Sequence, residues 1–229
     1  MSDSYMKHLK KDKWYHGTTL EGWKGICEKG VLAAYNIGHE LDFGYGFYLT
    51  PIKSQAEKFI TTLLRVTKED NEMLSEIGSM FSFEDNKDSK IAVVVEFDFT
   101  PLEWMARKDE YTYKILNAYD DEFAEFVFYN RTENDDGSKQ HSYDYIFGVM
   151  SDSNPIIDIA RYKNGEIGKE EVIESFKKST SAKQLSIHNQ KLCDIIKPSR
   201  AYVIDTGEEL DINEYLNKRK QKFIGRSAI

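Results

Sequence analysis

The sequence predicts an α+β fold in which several short strands are mixed with helices, and three observations carry that expectation. Residues 91–99 (IAVVVEFDF) begin as a solid β-branched run and end in alternation, the pattern of a strand leaving a buried position toward an edge. Ile52, Ala56, Phe59, Ile60, Leu63 and Leu64 fall on one face at helical spacing. The further strand-like stretches YDYIFGVM (143–150), QLSIH (184–188) and AYVID (201–205) are spaced too irregularly for a doubly wound parallel sheet.

Taken in order, Lys13 to His16 reads as a first strand, followed by a helix over Leu20 to Lys29 that Gly30 caps in the left-handed conformation. Thr50 is the expected N-cap of the next helix, with Pro51 in its first turn. Residues 66–90 are polar and contain Gly78, Asn86 and Asp88, which predicts a frayed helix end running into a mobile loop. Residues 110–130 read as helix through Ile115, Phe123, Phe126 and Val127, and residues 169–178 as another. No repeat or linker interrupts the 229 residues, so a single domain is expected, with a core over about 13–205 and a basic helical tail over about 208–229.

A formal charge of −8 argues against nonspecific coating of nucleic acid or anionic membrane, which rests on clustered Lys and Arg. The basic residues sit at the ends: Lys7, Lys10, Lys11 and Lys13 at one, Lys218, Arg219, Lys220, Lys222 and Arg226 at the other. Glu133, Asp135 and Asp136 make an acidic cluster between them. Charge runs of this kind are ordinarily solvated surface. Cys27 and Cys193 are far apart and have no CxxC partner, which fits a reducing cytoplasm and neither a disulfide framework nor a thiolate metal site. There is no secretory leader pattern and no apolar span of membrane length, so the expectation is a cytoplasmic protein with no membrane partner, in which the acceptor-like Asn130-Arg131-Thr132 has no meaning.

Several local patterns fail their context. The DFG of Asp42 to Gly44 has none of the other elements of a protein kinase around it, and GYGFYL lacks the third glycine and the strand-turn-helix setting of a dinucleotide fingerprint. His16, His39 and Asp42 match no standard metal-ligand spacing, so no metal is expected. The informative pairing is Tyr15-His16-Gly17-Thr18 with Gly46-Phe47-Tyr48-Leu49-Thr50. On an extended strand Trp14 and His16 share a face, so the imidazole can project into a cleft while Tyr15 packs inward, and Gly17 allows close approach of a ligand to the backbone.

Those residues resemble the ADP-ribosyltransferase superfamily on its diphtheria-toxin and poly-ADP-ribose-polymerase side, where an HG-containing strand and a G-x-G-[IF]-Y-[FL] segment followed by a helix wall the nicotinamide pocket. YHGT, DFGYGFYLTPIKSQAEKF, FVFYNR (126–131), YDYIFGVMSD (143–152) and QLSIHNQKLCDII (184–196) look like an uncharacterised bacterial domain family within that superfamily, over about residues 13–200. The resemblance implies an ADP-ribosyltransferase-like split β-sheet core of short, mainly antiparallel strands with flanking helices, and NAD as co-substrate. It implies that His16 bonds the adenosine ribose, that the Gly17 backbone holds the carboxamide, with Thr18 and Phe47 alongside, and that Tyr48 and Phe59 sandwich the cationic nicotinamide ring. Phe59 has an equal reading as plain core on its own helix.

Members usually place a glutamate on a late strand. In QLSIH, Leu185 and Ile187 face the core while Gln184, Ser186 and His188 share the other face, and Gln184 is the candidate for the glutamate's role. An amide accepts from a ribose hydroxyl but carries no charge and takes no proton. Slow or acceptor-assisted transfer, a base supplied by Asp144 or Asp152, and loss of activity all remain open on these residues. Asn130 and Arg131 are read as contacting a phosphate or capping Asp144. The functional expectation is an NAD-dependent mono-ADP-ribosyltransferase with catalytic His16, Tyr48 and Gln184, a bacterial toxin or defence effector with a macromolecular acceptor (protein or single-stranded RNA) and a cognate antitoxin. The alternative is a catalytically inactive nucleotide-binding interaction module.

Overall fold

A strand that is apolar on both faces must be covered on both, and Ala92–Asp98 occupies the centre of a three-stranded sheet, with Val93, Val94, Val95 and Phe97 wholly buried. The computed structural model describes residues 5–34, 41–69, 87–107, 109–132, 141–151, 156–178, 181–213, 215 and 217. In chain order the elements are α1 (Met6–Leu9), β1 (Lys13–Thr19), α2 (Leu20–Lys29), β2 (Phe47–Leu49), α3 (Lys53–Glu69), β3 (Ala92–Asp98), α4 (Pro101–Ala106), β4 (Tyr113–Leu116), α5 (Asp121–Thr132), β5 (Tyr145–Val149), α6 (Ile156–Lys163), α7 (Lys169–Phe176), β6 (Lys183–Ile187), α8 (Gln190–Ile195) and β7 (Pro198–Val203). The fold is mixed α+β. Its chain groups into two units, the first of Met1–Lys11, Leu32–Pro51 and Thr100–Ile195, the second of Asp12–Val31, Ile52–Phe99 and Ile196–Ile229.

The second unit holds the sheet β1-β3-β7, antiparallel throughout. Each fully buried valine of β3 contributes about 1.5–3 kcal/mol by leaving water. Trp14 is also fully buried and stacks on Phe99 at 5.8 Å, while Tyr15 packs beside Ala56, Val94 and Tyr202. The side chain of Thr19 caps α2 by accepting from Gly22 N at 3.1 Å, and Gly30 closes that helix at φ 88°, its N–H donating to Ile26 O at 2.9 Å. The structure starts α3 at Lys53, beyond the expected Thr50–Pro51 cap. Ile52 O takes the first-turn bonds from Gln55 and Ala56, and Pro51 O accepts from Lys11 Nζ at 2.7 Å. Thr100-Pro101, the same dipeptide, does open a helix at α4. The helix α3 runs on to Glu69, and the loop expected after it lies largely outside the described residues.

The first unit holds the sheet β2-β6-β5-β4, antiparallel except for the parallel pair β4 and β5, which α5 connects. Phe123, Ala124, Val127 and Phe128 of α5 pack with Phe43, Leu116, Ile146, Val149, Val172 and Phe176 in its core. The stretch 110–130, expected to be one helix, is a strand and then a helix. Asp120 makes the break: its carboxylate accepts from Phe123 N at 3.0 Å and its carbonyl from Ala124 N at 3.0 Å, so α5 begins only at Asp121. Ile115, expected on the helix, instead lies on β4, opposite Phe147 of β5.

Gly17 has a packing reason of its own. A Cβ there would lie 2.5 Å from Ala56 O of α3, so helix and strand approach only because position 17 lacks a side chain. Gly25 of α2 has nothing within 4 Å of such a carbon. Gly17→Ala is therefore expected to destabilise the fold by about 1–3 kcal/mol, whereas Gly25→Ala stabilises it by about 0.5–1 kcal/mol. Urea unfolding of the two variants checks this, and similar midpoints for both would contradict it.

Candidate functional site

Three groups in the first unit have side chains that strand alternation alone would leave unexplained. Gln184, Ser186 and His188 share one face of the β6 stretch, as expected, and all three are buried. Asp42, in the loop before β2, is buried with Arg131 of the last turn of α5 and Ser151 just past β5. A carboxylate in that environment is tolerated only if donors surround it. They do. Oδ1 of Asp42 accepts from Arg131 Nη2 (2.7 Å), Arg131 Nε (3.1 Å) and the Ser151 hydroxyl (2.6 Å). Oδ2 accepts from the Ser151 N–H (2.9 Å) and from Gln184 Nε2 (2.7 Å), which also donates to Val149 O (3.1 Å).

The loop that follows is held atom by atom. Phe43 N–H donates to the Tyr48 hydroxyl (3.1 Å), which donates to Gly44 O (2.6 Å). Phe43 O accepts from His141 Nε2 (2.8 Å) and Tyr45 O from His188 Nδ1 (2.6 Å). Since a carbonyl only accepts, His188 carries its proton on Nδ1, and Nε2 accepts from the Ser186 hydroxyl at 2.7 Å. By the same logic His141 is protonated on Nε2, and its Nδ1 accepts from Tyr143 N at 3.2 Å. The two imidazoles meet edge to face at 4.5 Å. Gly46 fits over the Ser186–His188 pair because a Cβ there would come 2.8 Å from both His188 Nδ1 and Ser186 Oγ. A serine bonded to a histidine has the form of an activated nucleophile, but Ser186 is fully buried, so the pair serves to position the loop.

Residues 15–197 match the profile of a family described as a protein of unknown function (DUF3990). The chain belongs to that family. No curated protein and no solved structure matches it. The DUF3990 span includes Asp42, Arg131, Ser151, Gln184 and His188, so the buried cluster lies wholly inside the family region.

The expected site residues fall on both units. Phe47 is buried on β2, and Tyr48 beside it is half-buried with its hydroxyl committed to the loop. Burial is the main cause that lifts the Tyr48 phenol well above its ordinary value, and the Asp42 charge adds to it. His16, Gly17 and Thr18 lie on β1, half-buried, with the Thr18 hydroxyl over Gly22 of α2. The direction that a side chain at position 17 would take is filled by α3. Phe59, given an equal reading as core, is 47% exposed. Arg131 binds Asp42 and Ser151, not Asp144 or an open phosphate site, and Asn130 bonds Phe126 O at 2.8 Å within its own helix. Asp144 accepts from Thr112 and Asn189 as a strand-end brace, while His39 and Asp152 lie outside the described residues. Among the described residues no group of three His, Cys, Asp or Glu is placed to hold a metal ion, and no helix is long and apolar enough to cross a membrane.

Removing one partner of a buried ion pair leaves the other uncompensated, so Arg131→Met is expected to lower stability by about 3–5 kcal/mol in equilibrium unfolding. A loss below about 1 kcal/mol, the worth of an exposed pair, would mean that Asp42 is solvated. Burial is also the leading cause that raises the phenols of Tyr15, Tyr48, Tyr145 and Tyr202 above 10.0. A raised folded value means that the stability held by the protonated phenols is complete below pH about 10 and is lost as the pH climbs beyond it. The unfolding free energy should decline above that pH, and less steeply in Tyr48→Phe; an equal slope in the variant would remove Tyr48 from this account.

Proposed function

We propose that the chain is an NAD-dependent mono-ADP-ribosyltransferase acting on a macromolecular acceptor. The observation that carries this reading is the convergence of four separated stretches on Asp42: DFGYGFYL provides the carboxylate, FVFYNR provides Arg131, YDYIFGVMSD provides Ser151 and QLSIH provides Gln184. These are stretches on which the likeness to an uncharacterised bacterial domain family within the superfamily rests. The two short-stranded sheets, β1-β3-β7 and β2-β6-β5-β4, also support it.

The residue chemistry suits the co-substrate. A cationic pyridinium favours aromatic faces; Phe59 offers an exposed ring and Tyr48 a half-buried one. A carboxamide needs backbone donors and acceptors; β1 is an edge strand of its sheet, so alternate N–H and C=O groups of the HGT stretch point away from β3. A ribose hydroxyl needs an acceptor, the role given to His16 and to Gln184. In the reaction the bond between the ribose anomeric carbon and nicotinamide breaks, and its electron pair leaves with the ring, which departs neutral. A lone pair of the acceptor forms the new bond through an oxocarbenium-like state, and the acceptor's proton passes to solvent or a base. The setting of a bacterial toxin or defence effector, with an antitoxin as partner, follows from the resemblance alone.

One observation favours a second reading, an inactive nucleotide-binding module: the Gln184 amide nitrogen is already engaged by Asp42 and Val149. Purified chain incubated with NAD separates the two. Transfer predicts free nicotinamide above the no-protein control, reduced at least tenfold in His16→Ala, and a raised melting midpoint at millimolar NAD. A raised midpoint without nicotinamide would select the binding module; neither signal would remove both. With labelled NAD and cell lysate, label freed by nuclease or by protease identifies the acceptor class.

A further inference from the structure

Resting on the transferase reading, we infer that Asp42 is a positioning residue for Gln184, and that the pair delivers through one hydrogen bond the negative polarisation that a glutamate on β6 would deliver directly.

The geometry begins with the amide. Gln184 Nε2 lies 2.7 Å from Asp42 Oδ2 and 3.1 Å from Val149 O. Both partners accept only, so the nitrogen must be the atom that faces them and the oxygen must face the other way. That oxygen has no hydrogen-bond partner among the described residues. The side chain is therefore a single acceptor whose direction is set by two bonds behind it. Position 184 is also 7% exposed and on a central strand, so its rotamer has little freedom.

Charge comes next. Hydrogen bonding of an amide N–H to a carboxylate draws electron density toward the amide oxygen, and a buried setting strengthens the effect. Arg131 and the Ser151 hydroxyl take Oδ1 while Gln184 and the Ser151 N–H take Oδ2, so the amide has a carboxylate oxygen that Arg131 does not occupy. The same contact gives a reason for glutamine at this position. A glutamate at 184 would set two carboxylates in hydrogen-bond contact, and they would have to share a proton. With Asp42 behind it, glutamine is the side chain that satisfies the buried carboxylate and still turns an acceptor forward.

The test uses the full chain and four variants: Asp42→Asn, Gln184→Glu, the exchanged pair D42N/Q184E, and D42N/R131M. The last removes both members of the buried ion pair and stands in for Asp42→Asn should that variant fail to fold. In ¹⁵N spectra the Gln184 side-chain amide, assigned by its absence from Gln184→Glu, is expected to move when Asp42 is replaced; an unmoved resonance overturns the inference whether or not the protein is an enzyme. In nicotinamide release from NAD, loss of Asp42 is expected to lower kcat about 10- to 100-fold, the scale of misplacing a reacting contact, with KM changed less than about threefold. The exchanged pair should recover most of that loss, since it keeps one carboxylate and one amide in contact. A folded Asp42 variant with wild-type kcat, or an exchanged pair no better than Asp42→Asn, overturns it and leaves the transferase reading standing. Wild-type protein that neither releases nicotinamide nor is stabilised by NAD sinks the functional reading, and the spectrum then decides the Asp42–Gln184 contact alone.

Discussion

A carboxylate 4% exposed, with an arginine, a serine and a glutamine drawn in around it, is the interaction on which the first unit is organised. Ionised oxygen in a poorly polarisable interior demands donors, and those donors come from three elements: the last turn of α5, the residue beyond Met150 at the end of β5, and the start of β6. Meeting that demand fixes where each element ends with respect to the others. Buried ion pairs contribute little net stability against an apolar alternative, and their attested value is in selecting one arrangement over its competitors. The arrangement selected here is the seating of the DFGYG loop.

Among its described residues the second unit is organised without such a centre. Its middle strand is apolar on both faces, its first helix is capped at both ends by neighbouring residues, and its longest helix docks where Gly17 leaves room. Charge appears at its margin. Glu96 is buried but paired with Lys13, which also bonds Asp98 at 3.0 Å, so the apolar run of β3 closes on an ion pair.

What could be read in the sequence was what depends on near neighbours. Leu20–Lys29 is helix as expected, with the glycine at its end, and the strands at 91–99, 143–150 and 184–188 lie where their patterns place them. Where the structure departs from the sequence pattern, a local competitor decides: Asp120 keeps the helix expected over 110–130 from starting early, and Ile52 rather than Thr50 leads into α3. The cluster was beyond such reading, because its contacts join residues 89, 109 and 142 positions apart. Motif likeness marked all four stretches, yet Arg131 is expected at a phosphate or at Asp144, since nothing in the order of residues says which acidic group an arginine will find.

The amide of Phe43 donates to a tyrosine hydroxyl, not to a ladder carbonyl. Its protection from deuterium therefore depends on the Tyr48 ring staying in place, and Tyr48 is the middle residue of the three-residue β2. Opening of the loop and fraying of β2 are thus coupled through one side chain, and exchange at this amide reports either of them.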